Sequence, residues 1–335
     1  MMNEIRLAHG GGGRYSHQLI EEVFLPVLKN DYLDSRDDSA LIDVPSTRLA
    51  FTTDSFVVEP LFFPGGDIGR LAVCGTVNDL AMLGAKPAYL SIGFIIEEGF
   101  LIDDLKRIVQ SVKEAADEAG VLIVTGDTKV VQRGNVDGLF INTSGVGILR
   151  ENVTLSGAGA QAGDHVVVSG PLGCHGMAVM TSREDLGFRT KIQSDVTPLN
   201  GLVDAMLGVT NHIHVMRDAT RGGLATILNE IAGQSHVGIE IVEENVPLTE
   251  EVKGACELLG FDPLYVANEG VLVACISPGV VKDVVKAMKR ISCGRNSAVI
   301  GSVLSENKNR VVMRTQIGSH RILDMLSGEQ LPRIC

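Results

Sequence analysis

The sequence predicts a mixed α/β chain of the α+β class, arranged as two successive domains and a short tail. Three observations carry this. Helical periodicity and short apolar runs alternate in both halves of the 335 residues. A small, turn-rich stretch, Ser156-Gly157-Ala158-Gly159-Ala160-Gln161-Ala162-Gly163-Asp164, separates the halves. After Ser327 the sequence is polar and lacks helical apolar spacing. The expected units are therefore 1–155, 156–326 and a mobile tail, 327–335.

After the glycine run 10–13, Leu19, Ile20, Val23, Phe24, Val27 and Leu28 recur at helical spacing, with Ser16 as the expected N-cap. Leu49 to Thr53 reads as a strand ending at Asp54, and Asp67 to Leu83 as a buried helix of small and apolar residues. Tyr89 to Ile96 is strand-like, and Leu101 to Ala119 is an amphipathic helix. Val121 to Val124 is a strand delivering Thr125-Gly126-Asp127, and strand-rich sequence continues to Leu149. In the second half a strand is expected at His165 to Ser169, with helices near 198–208, 222–234, 249–259 and 278–290. Further strands are expected near 237–242, 270–276 and 298–304. A doubly wound parallel sheet does not follow from this order.

Composition excludes several classes of function. No apolar run approaches the ~20 residues of a membrane span, and the opening Met1-Met2-Asn3-Glu4 leads into no secretory h-region, so the expectation is a soluble, cytoplasmic protein. A net charge of −12 with dispersed Lys and Arg argues against nucleic acid. Six cysteines without a C-x-x-C pair indicate neither zinc nor a disulfide framework. His212 and His214 read as incidental imidazoles of a strand or loop.

Chemistry concentrates in short motifs at expected breaks between elements. These are His9-Gly10-Gly11-Gly12-Gly13-Arg14, Arg36-Asp37-Asp38-Ser39-Ala40, Thr52-Thr53-Asp54-Ser55, Val77-Asn78-Asp79-Leu80 and Thr125-Gly126-Asp127-Thr128-Lys129. The second half adds Arg217-Asp218-Ala219-Thr220-Arg221-Gly222-Gly223 and Ala267-Asn268-Glu269-Gly270. The glycine run fits no Walker A pattern, but backbone without Cβ atoms can approach a polyphosphate closely as a flap. Asp79 sits in an apolar helical segment, where an unpaired carboxylate is costly. With Asp38, Asp54 and Asp127 it points to a divalent cation, magnesium being the hard ion that carboxylates and phosphates share. Asp218, ahead of the Gly222-Gly223 helix start, suits a phosphate-proximal position. The remaining signal is Cys335, on an arm whose nine residues from Ser327 could extend roughly 25–30 Å.

The Asp-Asp-x-Ala, Thr-Thr-Asp, Asn-Asp, Gly-Asp and Asp-x-Thr-x-Gly-Gly series resembles the aminoimidazole ribonucleotide synthetase superfamily. Within it, the His-Gly-Gly-Gly-Gly run, Pro60-Leu61-Phe62-Phe63-Pro64-Gly65-Gly66, Gly126-Asp127-Thr128-Lys129-Val130-Val131 and Pro332-Arg333-Ile334-Cys335 resemble the HypE family of hydrogenase maturation factors. Ser39 departs from the alanine common there. The resemblance implies a two-domain fold whose first domains pair into a homodimer. It also implies an ATP-dependent carbamoyl dehydratase that turns a carbamoyl group on the terminal thiol into a thiocyanate, the source of cyanide for the [NiFe] hydrogenase iron. On this resemblance Gly10, Gly11, Gly12, Gly13, Asn78, Gly126, Asp127, Thr128 and Asp218 contact ATP. Asp38, Asp54, Asp79, Asp127 and Asp218 supply magnesium ligands, and Cys335, Lys129 and Glu269 are catalytic.

Removing water from an amide-like group requires its oxygen to become a leaving group, which phosphorylation by ATP achieves, with positioning and charge neutralisation dominating. The second step needs a proton acceptor, Glu269 or Lys129; by chemistry alone Lys129 stabilises phosphate equally well. A thiol with a reference pKa of about 8.5 is only a few per cent thiolate at neutral pH. A separate carbamoyltransferase (HypF) is therefore the expected donor partner, as the resemblance implies, and the resemblance also implies an iron-scaffold complex (HypC and HypD) as the acceptor. The rival readings are another synthetase or kinase of the superfamily and a non-enzymatic ATP-binding scaffold. Selenophosphate synthetases usually carry Cys or selenocysteine in the glycine loop, and 9–14 holds neither.

Overall fold

The computed structural model describes residues 13–19, 21, 40–44, 47–183, 190–328 and 331–335. The expectations at Gly10, Gly11, Gly12 and Asp38, and the helix beyond Leu19, lie outside the described residues.

The first half is built on β1 (Ala40–Val44), β2 (Thr47–Phe56), a small hairpin of β3 (Phe62–Phe63) and β4 (Gly66–Asp67), β5 (Ala85–Glu97), β6 (Leu122–Val131) and β7 (Leu139–Leu149). The main sheet has the order β1-β2-β7-β5-β6. Its pairs are antiparallel except β5 with β6, the parallel pair bridged by helix Ile102–Ala119. That helix buries Ile108, Val112, Ala115, Ala116 and Ala119, the face its periodicity marks. Helix Ile68–Met82 is buried nearly all round because the sheet covers one side and the second half of the chain the other. Asp67 caps it, its carboxylate accepting from the Gly69 and Arg70 amides at 2.8 and 3.0 Å.

The second half carries β8 (His165–Val168), β9 (Ile213–Asp218), β10 (Gly238–Val242), β11 (Leu272–Ile276), β12 (Ala298–Leu304), β13 (Arg310–Arg314) and β14 (His320–Leu323). They form one sheet in the order β14-β13-β10-β12-β8-β11-β9, in which only β10 with β13 is parallel. Its centre is apolar on both faces. Val273 and Cys275 of β11 pack under helix Gly223–Ser235, while Leu272, Ala274 and Ile276 pack under helices Asn200–Leu207 and Val281–Met288.

Several expectations shift. The first helix begins at Arg14, with the His17 amide bonding the Gly13 carbonyl at 3.1 Å, so Ser16 lies within it and not at its cap. β2 runs through Asp54 to Phe56, and β6 runs through Gly126, Asp127, Thr128 and Lys129, because each pairs along its whole length with a neighbour. Helix Cys174–Thr181, β9, β13 and β14 were absent from the sequence reading; the helix is buried on nearly every side and carries no amphipathic stripe. His214, in β9, meets the Asp164 carboxylate at 2.8 Å. All six cysteines are free. Among the described residues no helix is long and apolar enough to cross a membrane.

After β14 the chain returns to the seam between the halves. Leu331 and Ile334 are 7 % and 5 % exposed and join an apolar cluster drawn from both halves, including Phe63, Met177 and Val266. In this structure residues 331–335 are docked.

Candidate functional site

A pocket of about 210 Å³ opens at this seam, lined among others by Asp54, Asp79, Asp218, Arg221, Glu269 and Cys335. Each acid arrives on a different element. On β2, Thr52 and Asp54 both line the pocket, as the period of two allows, and the Thr52 hydroxyl donates to Asp79 Oδ2 at 2.9 Å. Asp79 stands one turn along its helix from Gly75. A Cβ at Gly75 would lie 2.8 Å from the Phe56 ring, so a bare backbone lets strand and helix approach here. Asp218 ends β9, and Gly222 and Gly223, at φ +75° and +60°, turn the chain into helix Gly223–Ser235.

Glu269 is held by its neighbours' backbones and amides. Asn268 accepts from the Gly173 amide at 2.7 Å and donates to the Ala219 carbonyl at 2.8 Å. Asn78 donates to the carbonyls of Thr197 and Glu269, both at 3.2 Å, and accepts from the Leu199 amide at 2.7 Å. Expected as an ATP contact, Asn78 is placed as a buried staple between the halves. Asp195 accepts from the Glu269 amide at 2.6 Å and from the His175 amide at 3.0 Å. Asp195 and His175 stand in no sequence pattern that separates them from ordinary loop or helix residues, while Arg221 lies within the Asp-x-Thr-x-Gly-Gly motif, which by itself assigns it no role.

The pocket disfavours its own negative charge. Burial, then the charges of Asp218, Asp54 and Asp195, push the Glu269 carboxyl well above its usual range, with Arg221 opposing. Glu269 is 3 % exposed, and its Oε1 has no hydrogen-bond partner among the described residues. Burial raises Asp218 to about 6, against Arg217, and raises Asp54, against Arg221. Arg221 is itself held protonated, first by the charge at Cys335 and then, against burial, by Asp54, Glu269 and Asp79. An assembly of this kind takes up positive charge. Among the described residues no three acids converge closely enough to grip one ion by themselves.

Other expected residues lie elsewhere. Gly126, Asp127, Thr128 and Lys129 sit on the exposed edge strand β6 and do not line the pocket within this chain. Gly13 is buried beside Leu326, whose carbonyl accepts from the Arg14 amide at 2.7 Å.

Comparison with known proteins matches residues 36–149 to the N-terminal domain of AIR synthase related proteins and residues 161–314 to their C-terminal domain. The carbamoyl dehydratase HypE of Azotobacter vinelandii is 52% identical over 331 residues, 99% of this chain and 97% of the relative. Among solved structures, a chain in the crystal structure of a HypE–HypF complex is similar with a TM-score of 0.87 and 50% identity, over 92% of this chain and 99% of that one. The crystal structure of hydrogenase maturation protein HypE in complex with ATP is similar with a TM-score of 0.83 and 48% identity, over 98% of each chain.

Proposed function

The chain belongs to the carbamoyl dehydratase HypE family, and from that premise we propose that it dehydrates a carbamoyl group carried on Cys335 to a thiocyanate, consuming ATP, in hydrogenase maturation. The observation that carries this reading is the convergence of Cys335 with Glu269, Asp54, Asp79, Asp218 and Arg221 in one pocket.

The reaction balances as thiocarbamate plus ATP giving thiocyanate, ADP, phosphate and a proton. The carbamoyl oxygen takes the γ-phosphoryl group, the carbon–oxygen bond breaks with departure of phosphate, and the nitrogen gives up its protons as the C≡N bond completes. Glu269 is proposed to accept one of them; support comes from its Oε1, which has no hydrogen-bond partner among the described residues, and from its place in the pocket that Cys335 also lines. Arg221 opposes the negative charge that the acids and the transferred phosphoryl group bring together.

One or two of Asp54, Asp79 and Asp218 would hold magnesium, which when bound with the nucleotide would neutralise phosphate oxygens. Asp127, Thr128 and Lys129 belong to the proposal as residues of an interface between two copies. Support comes from β6 at the sheet edge, and from the exposed Tyr89, Ile95, Leu122, Val124 and Val130 on β5 and β6. The units 1–155, 156–326 and 327–335 are retained as part of the proposal, with support from the separation of β1–β7 and β8–β14 into different sheets. HypF is proposed as the carbamoyl donor and HypC with HypD as the acceptor of cyanide. Delivery to both requires the tail to leave its docked position, so the segment is proposed to alternate between docked and released states.

The test is intact-mass measurement after incubation with the carbamoyltransferase, its substrates and ATP. Wild type should gain a carbamoyl mass and then lose one water, while Cys335→Ala should show neither change. Equal modification of Cys335→Ala would sink the reading.

A further inference from the structure

The carbonyls of three consecutive tail residues are all engaged by one groove. The Arg183 guanidinium donates to Pro332 O and, at 3.3 Å, to Arg333 O, which also accepts from the Glu59 amide at 3.1 Å. His175 Nε2 meets Ile334 O at 2.7 Å. A carbonyl only accepts, so Nε2 carries the proton and Nδ1 accepts from the Ser194 hydroxyl at 2.8 Å. Ser194 is fixed in turn by the Val196 amide at 3.1 Å.

We infer that Glu59, His175 and Arg183 form a backbone-reading receptor for Pro332–Ile334, and that His175 is a positioning residue that registers Cys335 in the pocket. This deepens the proposed function, and rests on that reading only for its effect on reaction rate.

The division of labour is physical. Leu331 and Ile334 supply apolar burial, which attracts the segment but tolerates sliding. Directional bonds to successive carbonyls do not tolerate it, since a slip of one residue breaks them together. Arg333 adds a side-chain check, paired with Glu59 at 2.8 Å and with Asp137 at 2.7 Å. The bond to Ile334 O fixes the peptide plane that leads directly into Cys335. Because Asp195 binds the amides of both His175 and Glu269, one carboxylate sets the tail clamp and the proposed base in a common frame. Burial lowers the His175 pKa to about 4, so the ring stays neutral and keeps this tautomer at neutral pH.

The experiment is site-resolved alkylation of the full chain by iodoacetamide, with peptide mass mapping, in wild type, His175→Phe, His175→Gln and Arg183→Gln. Cys335 should react about tenfold faster in His175→Phe and Arg183→Gln, the scale of losing one buried hydrogen bond, and His175→Gln, which keeps a donor, should fall between. The buried Cys74 and Cys275 should stay protected, reporting an intact fold; if His175→Phe exposes them, Arg183→Gln decides. In a single-turnover assay, carbamoylation should persist in Arg183→Gln while water loss slows about tenfold. Unchanged Cys335 reactivity in variants with protected core cysteines overturns the receptor. Absence of water loss in wild type overturns the proposed reaction instead, and the alkylation rates still judge the receptor.

Discussion

At Glu269 burial and three nearby carboxylates favour the protonated acid, with Arg221 the opposing charge. A base must be deprotonated to act, so the dehydration rate should rise with pH through an apparent pKa above the ordinary carboxylate range. Glu269→Gln should lower the single-turnover rate about 10²- to 10⁴-fold and abolish that rise, while carbamoylation of Cys335 is retained. A rate–pH profile on pre-carbamoylated protein checks both; a surviving pH limb in the variant would remove Glu269 from the role. The acid was legible as Asn268-Glu269-Gly270, a carboxylate at a turn. Its bond to Asp195 and the opposing charge of Arg221 were not, because relations across 74 and 48 positions leave no local spacing to read.

Among the elements, the tail and β6 depart most from their sequence reading. A short polar segment with one glycine reads as mobile, yet Leu331 and Ile334 dock where both halves leave an apolar notch. Ile334→Ala should weaken docking by about 2–4 kcal/mol. Hydrogen exchange at 331–335 should rise and water loss fall, with carbamoylation maintained or faster. Unaltered exchange would mean that Ile334 anchors nothing. On β6, glycine and an acid suggested a break, whereas pairing with β5 carries the strand through Asp127 and Lys129 to Val131. The resulting edge leaves Leu122 64 % exposed. Leu122→Glu together with Val124→Glu should shift a dimer towards monomer in light scattering, and a monomeric wild type would refute the proposed pairing.

For the whole molecule, the seam that builds the site also burdens stability. The Asp218 carboxyl is raised from 3.8 to about 6, so the folded state holds its proton more tightly than the unfolded chain. Its contribution is fully present below the unfolded pKa and is lost as pH rises through about 6. Asp218→Asn should therefore raise Tm relative to wild type more at pH 7.5 than at pH 4, by roughly 2–6 °C. A pH-independent difference would contradict the burial argument. The amino-acid sequence by itself determined the mixed α/β class, most helices, and the acids, glycines and terminal thiol that carry the family resemblance. Those signals are local: periodicity, turn chemistry and motif spacing survive in one dimension. Tertiary structure alone decided that Asn78 staples the halves, that the Gly126–Lys129 motif lies along an exposed edge, and that His175, Arg183 and Asp195 bring Cys335 to Glu269. These contacts join segments separated by tens to hundreds of residues, and only the packing of two sheets about a shared buried helix makes them neighbours.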